Sequence, residues 1–153
     1  MPKDMNRKLK ISDPAPDFTL ADENGNDVTL SSFRGKNNVV LIFYPGDMTP
    51  GCTMQLCAIR DDWSKFQAVD TVVFGINHGD AESHKRFIAA HGFPFPLLID
   101  KFKKISAQYG ATGMIFKHPI IKRSVVVVDK NGRIAFIRTG MPKDSEIIKA
   151  IKN

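Results

Sequence analysis

Val39 to Tyr44 is an unbroken apolar run, followed at once by Pro45 and Gly46. A strand buried on both faces has this pattern, because neither face needs polar residues. Thr71 to Ile76 and the shorter Leu97 to Ile99 read the same way. Between them the period changes. From about Pro50 to Ala68, Leu56, Ile59, Trp63 and Phe66 fall on one side of a helix turning ~100° per residue. Further helices are expected over Ala81–Ala90, Lys103–Tyr109 (ending at Gly110) and Asp144–Ile151, where Ile147, Ile148 and Ile151 share a face. Phe18–Leu20 and Asp27–Leu30 read as short strands around a turn at Asn24-Gly25. Ser124–Asp129 and Arg133–Thr139 flank Lys130-Asn131-Gly132, a strong hairpin signal. Strands alternating with helices, then a hairpin and a last helix, predict an α/β sandwich with a mixed central sheet. With no repeat or linker in the sequence, residues 1–153 are expected to form a single domain.

The 22 Lys+Arg against 16 Asp+Glu leave a charge of +6. Part of the excess lies at the ends (Lys3, Arg7, Lys8, Lys10; Lys143, Lys149, Lys152), as expected of a solvated face. No helix-turn-helix, zinc-finger or aromatic-basic RNA pattern accompanies it, so specific nucleic-acid binding is not expected. No run approaches the roughly 18 apolar residues of a membrane span. The amino end lacks an apolar signal region and transit-peptide composition, making the cytoplasm the default location. Of four histidines, His84 and His91 share a helical stripe, but seven residues separate them by ~10.5 Å along the axis, too far for one ion.

Two cysteines in such a chain point to reactivity rather than to a disulfide framework. They stand in Tyr44-Pro45-Gly46-Asp47-Met48-Thr49-Pro50-Gly51-Cys52-Thr53-Met54-Gln55-Leu56-Cys57. Thr49 suits a helix N-cap and Pro50 the first helical position. Cys52 then meets unpaired backbone N–H groups and the positive end of the helix dipole, which favour a thiolate. Bringing a thiol pKa from ~8.5 to about 6 takes roughly 3.4 kcal/mol. A helix end supplies about 2 kcal/mol at best. A cation at the sulfur is needed, and several Arg and Lys residues could provide it. Cys57 falls roughly 140° around the helix from Cys52, on the flank of Arg60 and Ser64, and ~7.5 Å along it. Disulfide geometry cannot be met across that interval unless the first turns unwind, so any such bond would be a step in a cycle.

At these residues the chain resembles the peroxiredoxins, whose Pro-x-x-x-Thr-x-x-Cys pattern is matched by Pro45, Thr49 and Cys52. A second cysteine five residues on resembles the peroxiredoxin Q class, also called bacterioferritin comigratory proteins. Weaker matches run along most of the chain: Ala15-Pro16-Asp17-Phe18, Ala81-Glu82-Ser83-His84, Phe93 to Leu98, and Arg123 before Ser124. The resemblance implies a thioredoxin-like fold with an extra amino-terminal hairpin. It implies that Cys52 points into a shallow pocket near Arg123, reduces hydrogen peroxide or organic hydroperoxides, and becomes a sulfenic acid. Thr49 and Arg123 would hold thiolate and peroxide, Pro45 would shield the sulfenate, and Cys57 would resolve it as a disulfide. Thioredoxin or a similar dithiol would be the reductant; no cofactor or metal is implied, and the protein would be a monomer or weak homodimer. The chain departs from the class at Gly46 (often Lys), at Gln55 (often Glu) and in the apolar segment Ala111 to Lys122. The competing readings are a thioredoxin-type oxidoreductase, which needs Cys-x-x-Cys where this chain has Thr49, and a non-catalytic holdase or binding protein, which leaves a reactive thiol unexplained.

Overall fold

The computed structural model describes residues 8–153. Lys3 and Arg7, read above as part of a solvated face, lie outside the described residues. Strands β1 (Thr19–Ala21) and β2 (Asp27–Thr29) pair antiparallel, and the chain then enters β3 (Asn38–Phe43). After β3 come α1 (Pro50–Asp61), α2 (Trp63–Gln67), β4 (Thr71–Asn77), α3 (Ala81–His91), β5 (Leu97–Ile99) and α4 (Lys104–Gln108). A hairpin, β6 (Thr112–Ile115) and β7 (His118–Ile121), leads to β8 (Ser124–Val128), β9 (Ile134–Thr139) and α5 (Asp144–Lys152). The central sheet has the order β5-β4-β3-β8-β9. The first three strands run parallel and β8 runs against β3, so the sheet is mixed as expected.

Alternation along β3 explains its continuous apolar run. Val40, Ile42 and Tyr44 face one core with Leu56, Ile59, Phe66 and Phe87, while Val39, Leu41 and Phe43 face another with Phe74, Tyr109 and Ile121. Full burial of each such side chain contributes about 1.5–3 kcal/mol.

One expectation needs correction, and one element was not foreseen. The helix expected over Pro50–Ala68 breaks at Asp62 (φ −98°, ψ 14°), whose N–H is shared between the Ala58 and Ile59 carbonyls. The apolar segment after Ala111, to which the sequence assigned no element, forms the β6–β7 hairpin, paired from Thr112↔Ile121 to Ile115↔His118.

Topology positions the chemistry. β3, β4 and β5 end at the same edge, so the turns after them gather there, where α/β sheets commonly build sites. Because β8 starts opposite the end of β3 (Phe43↔Ser124), Arg123 arrives beside the segment that leads into α1.

Candidate active site

Thr49 is extended (φ −80°, ψ 149°) at the N-cap of α1, with Pro50 in the first turn. Its side chain does not cap the helix, contrary to the simplest expectation. Thr49 Oγ1 instead donates to the Gly46 carbonyl at 2.9 Å, closing the turn ahead of the helix. The first-turn N–H groups of α1 thus have no side-chain cap, and the positive end of the helix is left for an anion. Cys52 is the third residue of this helix and is completely buried.

The cation that the dipole argument requires is Arg123. Its Nη2 donates to Cys52 Sγ at 3.5 Å, and its Nη1 donates to Gln55 Oε1 at 2.8 Å. Gln55, nearly buried on α1 one turn after Cys52, aims the guanidinium without neutralising it. A glutamate there would draw the positive charge to itself; glutamine leaves it for the sulfur. Gly51 gives the guanidinium room, since a Cβ at that position would stand 2.9 Å from Nη2.

The remaining expected residues are placed as follows. Pro45 is exposed, directly after buried Tyr44. Cys57 is half-buried near Arg60, as expected, but it also packs against the apolar cluster that contains Cys52. Both cysteines are free thiols. Cys52 was expected to face a shallow pocket near Arg123; its side chain is instead fully buried. A cleft of about 800 Å³ opens on the same helix, lined by Met54, Gln55, Ile59, Met141, Asp144 and Ile148. Cys52 does not line that cleft. No three His, Cys, Asp or Glu side chains among the described residues gather as metal ligands.

Sequence reasoning missed a second polar centre behind the Pro45–Thr49 turn. Asp47 Oδ1 accepts from Tyr44 Oη at 2.6 Å and Asn77 Nδ2 at 3.2 Å. Its Oδ2 accepts from Ser83 Oγ at 2.7 Å and lies 2.6 Å from His84 Nδ1. Burial alone would push the Asp47 carboxyl up; the hydrogen bonds from His84, Tyr44 and Ser83 outweigh it and hold the group below the usual carboxylate range. Tyr44 moves the other way: burial, then the neighbouring Asp47 charge, raise its phenol well above the ordinary value. A Cβ at Gly75 would meet the Tyr44 ring at 3.1 Å and Leu97 at 2.6 Å, so glycine is what lets the tyrosine lie against β4. The one available sequence signal was Ser83-His84 within a weak flanking match.

Residues 11–137 match the AhpC/TSA family. The chain belongs to that family. It is 42% identical over 130 residues to peroxiredoxin Q, chloroplastic, from Oryza sativa subsp. japonica, an alignment covering 85% of this chain and 59% of the rice protein. Against peroxiredoxin Q, chloroplastic, from Sedum lineare it is 43% identical, covering 85% of this chain and 69% of the relative. The chain thus spans about three-fifths of the length of the rice relative. Among solved structures, peroxidoxin BcpB from Mycobacterium tuberculosis superposes with a TM-score of 0.84 at 30% identity, covering 94% of this chain and 95% of that one. The AhpC/TSA chain described here has the thioredoxin-like fold implied by its sequence, with β1–β2 as the additional amino-terminal hairpin. The chloroplastic location in the plant names belongs to those proteins and does not bear out a cytoplasmic default. No helix among the described residues is long and apolar enough to cross a membrane.

Proposed function

We propose that this chain is a thiol-dependent peroxidase acting on hydrogen peroxide and organic hydroperoxides. The observation that carries the reading is Arg123, 3.5 Å from the buried Cys52 Sγ at the uncapped start of α1. The uncapped helix end and the guanidinium direct N–H donors at the sulfur, and the same donors stabilise negative charge developing on a departing oxygen. Cys52 attacks the terminal peroxide oxygen. The S–O bond forms as the O–O bond breaks, the sulfur is oxidised to sulfenic acid, and the alkoxide or hydroxide leaves with a solvent proton. Thr49 orients the incoming peroxide and Pro45 restricts access of a second one. The Cys57 thiol then displaces water from the sulfenic acid, forming the Cys52–Cys57 disulfide. A thioredoxin-like dithiol reduces that bond, becoming a disulfide itself.

Access follows from the site's construction. With Cys52 buried, peroxide reaches it when Arg123 or the first turn of α1 shifts outward, and the cleft lined by Met54 and Gln55 gives an organic hydroperoxide an apolar bed beside that opening. The scarcity of cysteine supports a reducing compartment, which we take to be the cytoplasm.

Stopped-flow mixing of reduced protein with H2O2, followed through Trp63 fluorescence, tests the reading. We expect a fast second-order phase that disappears in Cys52→Ser. A thioredoxin-type oxidoreductase or a holdase would show neither that phase nor stoichiometric loss of peroxide.

A further inference from the structure

The turn before α1 holds a strained residue. Met48 lies at φ +64°, in the left-handed region that favours glycine, and its exposed side chain makes little packing to offset the cost. Such a conformation persists where its surroundings over-determine it. Here the surroundings are the side chain of the preceding residue, Asp47.

Four donors converge on Asp47, from the ends of β3 (Tyr44) and β4 (Asn77) and from α3 (Ser83 and His84). A carboxylate has about four lone-pair sites, and all are taken. The His84 side chain is 0% exposed and that of Asp47 is 4% exposed, so the contact is shielded from water. His84 Nε2 lies 3.0 Å from the Leu98 carbonyl, which can only accept. Its Nδ1 faces an ionised carboxylate, which can also only accept. Both ring nitrogens therefore face oxygens that only accept, a geometry that suits an N–H at each.

A buried carboxylate–imidazole contact is a poor way to gain stability, since apolar groups of similar volume commonly do as well. What it provides is fixed geometry on a turn that leads directly to Thr49, Pro50 and Cys52. We propose that Asp47, clamped by His84, is a positioning residue for the peroxide reaction. It locks the Pro45–Thr49 turn so that Thr49 and the first-turn N–H groups of α1 stay in register with Arg123, which immediately precedes β8. The inference rests on Cys52 being the peroxide-reactive thiol. It also assigns a fixed side to the hinge: the turn stays locked while the start of α1 unwinds for Cys57.

The test compares Asp47→Ala with Asp47→Asn by stopped flow, at a temperature where thermal melting shows each variant folded. Asp47→Ala removes all four bonds and should slow the peroxide step by at least about tenfold, the scale of a small misplacement of reacting groups. Disulfide closure should be no slower. Asp47→Asn can still accept from Tyr44 and donate through Nδ2 to a neutral His84, so it should recover most of the lost rate. In parallel, 15N NMR of the imidazole should show both His84 nitrogens protonated in the wild type at pH 7, and one in Asp47→Asn. Three results overturn the proposal: a wild-type peroxide rate in Asp47→Ala, equal slowing of both steps, or a single protonated His84 nitrogen in the wild type. If Asp47→Ala does not fold, the NMR comparison decides. If the wild type ignores peroxide, the peroxidase reading fails, and the NMR result still judges the clamp.

Discussion

A methyl group added to Gly51 would stand 2.9 Å from Nη2 of Arg123. The contact is with the far end of a flexible side chain, so the guanidinium can swing away at little cost to the fold. Alanine inside a helix is also favoured over glycine by roughly 1 kcal/mol. Gly51→Ala should therefore keep or raise the melting temperature while slowing the reaction with H2O2 severalfold. Matched thermal melts and stopped-flow rates check this; an unchanged peroxide rate would show that Arg123 does not need the space.

Arg123→Met should reduce both peroxide consumption and iodoacetamide alkylation of Cys52 at pH 7. A charge-assisted hydrogen bond contributes about 1.5–3 kcal/mol, or roughly 10- to 100-fold in rate where it acts on the thiolate. Gln55→Ala, which frees the guanidinium but keeps it, should lose less. Equal alkylation in Arg123→Met and wild type would remove Arg123 from thiolate stabilisation.

Cys57→Ser should retain one fast turnover with H2O2, accumulate sulfenic acid and lose recycling by thioredoxin. Full thioredoxin-driven turnover in this variant would rule out Cys57 as the resolving residue.

Asp144, in the first turn of α5, has its carboxyl pushed up to about 7 by burial and by the neighbouring Asp62 carboxyl, with Lys65 opposing. Asp62 is shifted down, so the two share a proton. A raised folded pKa means that stability is complete below the unfolded value near 3.8 and is lost as pH rises through about 7. Asp144→Asn keeps a hydrogen bond without the charge. It should raise the melting temperature at pH 8 and change it little at pH 5. The site is half open to solvent, so the gain is cut to ~1 kcal/mol, or about 2–4 °C. A larger gain at pH 5 than at pH 8 would contradict the shared proton.

The sequence was most legible where one physical signal dominated. Val39 to Tyr44 needed only its apolar continuity, and Thr49-Pro50 marked the start of α1 through backbone preferences alone. The break at Asp62 was hidden because Leu56, Ile59, Trp63 and Phe66 keep helical spacing across it. Hairpin β6–β7 was hidden for a different reason: its two-residue turn uses Phe116 and Lys117 at φ +47° and +69°, where the recognisable signal would be Asn-Gly. Arg123 came from resemblance, since no local pattern fixes the aim of a residue 71 positions from its partner. The Asp47–His84 contact spans 37 positions and gives no periodic trace.

Disulfide formation also requires the start of α1 to open, because cysteines five apart cannot bridge on an intact helix. Amide hydrogen exchange on matched reduced and disulfide forms should show protection lost chiefly from Cys52 to about Arg60, with the turn at Asp47 and the central sheet unchanged. Equal protection of that segment in both forms would mean that the helix does not unwind.

The most direct test of the central claim is a titration of fully reduced protein with H2O2, with cysteine states mapped by mass. One peroxide should be consumed per chain, with a single Cys52–Cys57 disulfide as the product, both abolished by Cys52→Ser. Peroxide left unconsumed, or consumed equally by Cys52→Ser, would contradict it.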